Sequence, residues 1–343
     1  IMSLLESTDI EHPPLEALFT VDEETGMTGA FGLKGGLLKG EVLLNLDTEE
    51  DDEIDIGCAG GIDITAKRNY NEKSALHGDI GYRLVVNGLK GGHSGMDINK
   101  GLGNANKIMN RLLFAGLDYH MRIGTCEGGS LRNAIPREST CHVNIDKKQE
   151  TVFLETLRNV ADTIKKELTI VEPNLEISIR NEKPCKKVMG LGAQKKFVNG
   201  VYAAVNGVYR MSSTIPDLVE TSNNIARIQV KNGSIAVLCL TRSSVESGKM
   251  DLANSLKSAF ELAGFDVAFS GSYPGWNPNT DSKILAVTKG IYRDLFGTEA
   301  RVVACHAGLE CGILGQNCPE MDMISFGPTI LGAHSPDERV SIS

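Results

Sequence analysis

The sequence predicts an α/β protein. A discontinuous domain, with a mostly parallel sheet and flanking helices, is interrupted by an inserted α+β domain with two ferredoxin-like halves. Three observations predict this. Both ends of the chain carry near-continuous apolar runs separated by helical or looped connections. The middle carries a β-α-β-β-α-β order, and a similar order then recurs. The length of 343 residues also exceeds what one compact core usually holds and predicts two domains.

The elements follow in order. Leu15–Val21 is a short apolar run with β-branched content and reads as a buried strand, and Glu41–Leu46 reads as another. Between them, Gly26–Gly40 is glycine-rich but long enough for a short helix. Buried runs joined this way predict parallel pairing with both faces covered. From Ile62 the pattern changes: strand Tyr82–Val86, helix Leu102–Ala115, strands His120–Gly124 and Thr140–Ile145, helix Glu150–Leu168, strand Leu175–Ile179. The second unit reads as helix Gln194–Val205, strands Ala226–Val230 and Ile235–Leu240, helix Leu252–Ala263 and strand Asp266–Phe269. After Trp276 come a helix over Ile284–Leu295 and buried strands Val302–Ala304 and Met323–Phe326. The expected division is 1–61 and 277–343 for the split domain and 62–276 for the insertion.

Composition narrows the function. Hydrophobic residues make up 41% and charged residues 23%, as in an ordinary globular protein. Acidic residues outnumber basic ones, 44 to 35, for a formal charge of −9. That field predicts neither nucleic acid nor an anionic membrane surface as partner. No stretch approaches the ~20 apolar residues of a membrane span. The eight cysteines include no Cys-x-x-Cys pair and read as reduced core thiols. The chain opens at Ile1 inside a helical pattern without an N-cap and ends in Val340–Ser343, which reads as mid-strand, so a truncated chain is expected.

Three residues stand where a metal could be held. Glu24 follows the first expected strand, Asp47 the second, and His334 lies in the loop after Met323–Phe326. Sites in open parallel sheets form beyond the carboxyl ends of the strands. Two carboxylates and an imidazole there suit Zn²⁺ or a similar ion. The bland reading stays open for each: Asp22-Glu23-Glu24 as a solvated acidic turn, Asp47 as the start of the acidic run through Asp52, His334 as a structural loop histidine. His93 sits in Lys90-Gly91-Gly92-His93-Ser94-Gly95, which lacks the ending of a P-loop. Asn133 sits in the glycine-rich stretch Gly128–Pro136. Arg242 follows the strand Ile235–Leu240 and reads either as a carboxylate clamp or as a surface salt bridge. His306 and Glu310, at a strand-to-helix turn, read either as pocket lining or as a helix cap. No Gly-x-Ser-x-Gly elbow supports a serine nucleophile.

Thr20-Val21-Asp22-Glu23-Glu24-Thr25-Gly26 resembles the signature of the cocatalytic zinc peptidase family. The resemblance extends through Gly57–Asp63, the His93 loop, Arg132–Glu138, Tyr273–Trp276, His306–Gly312, Pro319–Met323 and His334–Glu338. Most specifically, it is to the bacterial aminoacyl-histidine dipeptidases of that family. It implies Glu23 as general base, with Glu24, Asp47 and His334 as ligands of two Zn²⁺ per site, and Mn²⁺ or Co²⁺ as alternatives. It implies that His93, from an inserted lid, reaches the neighbouring subunit's site and helps hold the scissile carbonyl. Asn133 and Arg242 would contact a small peptide, Arg242 through its terminal carboxylate. A homodimer through the lid and a cytoplasmic location are expected.

The sequence departs from the family at one point. No His-x-Asp segment or further bridging aspartate precedes Glu23, and His12 is followed by proline. The expectation is therefore a metallodipeptidase acting on Xaa-His peptides such as carnosine. The alternatives are an inactive truncated dimerisation or peptide-binding module, or a related amide hydrolase acting on tripeptides or acyl-amino acids.

Overall fold

The computed structural model describes residues 1–331 and 337–341, with the backbone alone at Glu24 and Thr25. The chain forms two compact units, Ile1–Gly60 with Tyr273–Ser343, and Gly61–Ser272.

The first unit carries a four-stranded sheet in the order Val42–Asn45, Asp322–Ser325, Glu53–Cys58, Arg301–Cys305. The two outer pairs are parallel, and the central contact is a single antiparallel pairing of Ser325 with Asp55. Helices Lys283–Phe296 and Glu310–Asn317 accompany it. Its core includes one cluster around Cys58, Trp276, Cys311 and Met323 and another around Ala30, Ile313 and Leu314. The Gly57–Gly61 motif has a packing role. Cys58 and Trp276 exchange two backbone hydrogen bonds of 2.9 Å, and a Cβ on Gly60 would lie 2.4 Å from the Gly275 nitrogen. Only glycine permits that approach.

One expected strand is corrected. Leu15–Val21 is not a strand, and Leu15, Phe19 and Val21 are exposed. An apolar, β-branched run becomes a strand only where a neighbour completes its backbone ladder. Among the described residues none pairs with it. Glu23 and Glu24 therefore do not follow a strand: they lie on a one-turn helix, Glu23–Gly26.

The second unit is built on a nine-stranded sheet. Its strands are β1 (Gly60–Asn69), β2 (Asp79–Asn87), β3 (Arg122–Gly128), β4 (Ser139–Asp146), β5 (Glu176–Glu182), β6 (Gly207–Met211), β7 (Val219–Lys231), β8 (Ser234–Ser243) and β9 (Asp266–Tyr273). Helices are α1 (Ala105–Gly116), α2 (Glu150–Leu168), α3 (Leu191–Ala203) and α4 (Glu246–Leu262). The order is β5-β2-β4-β3-β7-β8-β1-β9, with β6 added beside β7.

Two ferredoxin-like halves explain that order. The first runs β2-α1-β3-β4-α2-β5; the second runs β1-α3-β7-β8-α4-β9, with the first half inserted after β1. Each half places its strands in the same order, one reversed, so the halves meet through their equivalent second strands. That junction pairs Gly128 with Ile228 and Cys126 with Val230. The sequence reading lacks β1 because the whole first half separates it from its partners.

The helices follow the apolar period. In α2, Phe153, Leu157, Ala161 and Ile164 are buried at three- and four-residue spacing, with Glu150 in the first turn and Lys165 and Lys166 in the last. Asn104 caps α1, its side chain accepting from the Asn106 and Lys107 amides. One hydrophobic core, from Ile62 to Phe265, runs beneath both halves.

Candidate functional site

In the second unit the fold gathers three candidate residues from distant segments. His93 lies on the short strand Gly92–His93, which pairs with Ala134–Ile135 and so stands beside Asn133. The Ser94 amide donates to the Asn133 carbonyl at 2.7 Å. Arg242 is the last residue but one of β8, and its guanidinium Nη2 lies 3.4 Å from His93 Nε2. Its Nε lies 3.5 Å from Ser94 Oγ. Arg242 is buried, at 5% exposure, so the surface salt-bridge reading is corrected. The strand extends past Leu240 and carries the arginine inward.

The electrostatics follow from this packing. Burial, then the charge of Arg242, pushes His93 down to about 4, against the opposing pull of Asp97. His93 is therefore neutral at physiological pH. The Gly95 and Met96 amides donate to Nδ1 at 3.3 and 3.1 Å, which assigns the ring proton to Nε2. Two N–H donors, Nε2 and the guanidinium, then stand side by side. An acceptor oxygen, such as that of a carbonyl or carboxylate, suits such a pair.

In the first unit, Glu23 is half-buried on its single helical turn. Asp22 and Met27, which flank that turn, both hold positive φ, 60° and 51°. Aspartate tolerates this conformation; for methionine it stores strain. Thr20 Oγ1 donates to Glu310 Oε2 at 2.8 Å. Glu310 and His306 are buried, and Glu310 makes no side-chain cap on its helix, so the cap reading is not met for it. Asp47 lies beyond the carboxyl end of Val42–Asn45, as expected, and is exposed. Near it, burial pushes Asp55 up to about 6 against the pull of the Thr48 hydroxyl.

His334 lies outside the described residues, as does the side chain of Glu24. Carboxylate and imidazole donors suit a zinc-type ion by chemistry. Among the described residues, however, no group of three or more His, Cys, Asp or Glu side chains could hold a metal. The described donors alone do not compose a metal site. All eight cysteines are free thiols, and burial pushes Cys58 up to about 11 and Cys239 to about 12, so both stay protonated.

Comparison with known proteins draws these features together. The chain is 38% identical over 342 residues to the cytosol non-specific dipeptidase of Escherichia coli (strain K12), covering 99% of this chain and 70% of that protein. This chain belongs to the M20 family of dipeptidases. The crystal structure of aminoacylhistidine dipeptidase from Vibrio alginolyticus superposes with a TM-score of 0.94 at 42% identity, covering 99% of this chain and 69% of that one. The peptidase dimerisation domain matches residues 80–171. In this M20 dipeptidase the match runs from β2 to just past the end of α2, which is the first ferredoxin-like half without its last strand.

Several residues around the site escape the sequence reading. Ser94 and Arg132 are visible only as neighbours of His93 and Asn133. Asn104 carries an N-cap signal but no functional one. Asn224, inside β7, carries no local signal at all.

Proposed function

We propose that this M20 dipeptidase hydrolyses dipeptides with a preference for Xaa-His substrates such as carnosine. The reading is carried by the His93–Asn133–Arg242 cluster, in which Arg242 is buried, His93 half-buried and Asn133 exposed, a set of donors suited to a peptide's oxygens. Arg242 takes the terminal carboxylate, where its planar fork matches two oxygens. Asn133 contacts the substrate backbone. His93 offers its Nε2 proton to the scissile carbonyl. The two relatives differ in breadth, one a non-specific dipeptidase and one an aminoacylhistidine dipeptidase, and we adopt the narrower preference.

Glu23 acts as general base: it takes a proton from the attacking water and delivers it to the leaving amine. Glu24, Asp47 and His334 would hold the divalent ion, Zn²⁺ first, two per complete site, with Mn²⁺ or Co²⁺ able to substitute. When bound, such an ion polarises the carbonyl and lowers the pKa of water to about 7. The segment 62–276 acts as lid and dimer interface, and His93 serves the neighbouring subunit. The peptidase dimerisation match supports a homodimer. The name of the E. coli relative supports a cytoplasmic location.

Metal content per chain, measured beside turnover of carnosine, other Xaa-His peptides, tripeptides and acyl-amino acids, tests this. Stoichiometric metal and fastest turnover of Xaa-His dipeptides are expected. Preference for acyl-amino acids, or a metal-free inert chain, overturns the reading. Glu23→Gln is expected to keep its metal and lose about 10²–10⁴-fold in kcat. Glu24→Gln is expected to lose metal as well, and equal metal loss in both variants contradicts the division of labour. Sedimentation velocity is expected to give a dimer.

A further inference from the structure

Asn133 is held by three successive carbonyls. Those of Arg132 and Ala134 accept from the side chain of Asn224, at 3.1 and 2.8 Å. The carbonyl of Asn133 itself accepts from Ser94. With all three fixed, the backbone direction at Asn133 is fixed, and so is the line along which its side chain leaves.

The orientation of Asn224 is itself dictated. Asn104 uses its side-chain oxygen to cap α1, so its amide nitrogen must face away from the helix and donate. It donates to Asn224 Oδ1 at 3.2 Å, and also to Asn206 Oδ1 at 3.0 Å. With its oxygen thus engaged, Asn224 can present only its nitrogen to the two carbonyls. Arg132 anchors the same loop: its guanidinium donates to the carbonyls of Ile64 and Cys239 at 3.0 and 2.8 Å and pairs with Asp63 at 3.1 Å.

The chain of bonds crosses the junction between the two halves. Asn104 and Asn133 belong to the first half, Asn224 and Arg242 to the second. The neighbouring Asn223 is as deeply buried but differs in kind. It bonds the Val205 carbonyl and the Thr241 hydroxyl, both in the second half, and not the carbonyls of the Asn133 loop. Asn224 thus spans the junction and bonds both sides of Asn133, which Asn223 does not.

We infer that Asn224 is a positioning residue for the substrate site, holding Asn133 in register with His93 and Arg242. The inference rests on the proposed role of Asn133 as a substrate contact. Carnosine binding to the whole chain, measured by calorimetry, tests both and separates them. Asn133→Ala is expected to weaken binding about tenfold, and Asn224→Ala by a similar factor. The double variant is expected to bind no more weakly than Asn133→Ala alone, because the second change acts through the first. Asn223→Ala is expected to lower the melting temperature yet leave affinity within about twofold.

Additive losses, or unchanged binding in Asn224→Ala, overturn the positioning role while leaving the site intact. Unchanged binding in Asn133→Ala overturns the substrate reading and the inference with it. Should Asn224→Ala fail to fold, Asn224→Ser serves, read by exchange of the Ser94 amide hydrogen that Asn133 holds. Exchange at least about tenfold faster than in Asn223→Ala is expected, and equal protection in the two overturns the proposal.

Discussion

His93 illustrates how one side chain can be tuned by its surroundings. Unfolded, it titrates near about 6.5. Folded, burial and then Arg242 push it down to about 4. Between those values the unfolded chain binds the extra proton and the folded chain does not. The stability contributed by the neutral ring is therefore complete above about pH 6.5 and is lost as the pH falls toward about 4. In an NMR titration the His93 ring resonances are expected to keep their neutral positions through pH 5, and a midpoint near 6.5 rejects this. Arg242→Gln is expected to raise that midpoint, because it removes the second depressing influence. Arg242→Lys should weaken dipeptide binding about tenfold in calorimetry, since a point charge replaces a planar fork. The sequence names His93 and Arg242 as candidates but not their proximity, because 148 positions of intervening chain hide it and pairing decides it.

At the scale of elements, loop and helix depend on different forces. Gly129 opens the connection that carries Asn133, at φ +72°, and a Cβ there would lie 1.8 Å from the Ala226 carbonyl oxygen. Gly129→Ala is expected to cost about 3 kcal/mol or more in urea unfolding, from strain and a clash with backbone. The helix α2 depends on burial instead. Phe153 is fully buried, with its ring centroid 6.3 Å from those of Tyr82 and Tyr119. Phe153→Ala should cost about 3–5 kcal/mol in the same measurement. The period of α2 is legible because one face of one helix records it. The strand reading of Leu15–Val21 fails because composition records a propensity to pair and not the presence of a partner.

At the scale of the molecule, the two units differ in what holds them. The large core lies wholly within residues 61–272. That segment, expressed alone, is expected to unfold in a single cooperative transition by circular dichroism, and a gradual loss of signal contradicts this. In the other unit, Val287, Ile291 and Leu295 of its helix Lys283–Phe296 are exposed. Its amide hydrogens should exchange faster than those of β4 and β7 in native-state exchange.

The sequence by itself determined the long helices, many of the strands, the two-halved insertion and the family. Each is written in local periods or in short contiguous motifs, which need no partner to be read. Only the tertiary structure decided that β1 completes the second half and that Glu23–Gly26 forms a turn of helix. It alone brought His93, Asn133 and Arg242 together, with Asn224 behind them. Strand pairing and buried hydrogen bonds join residues far apart in the chain, and nothing in the local pattern of either partner names the other.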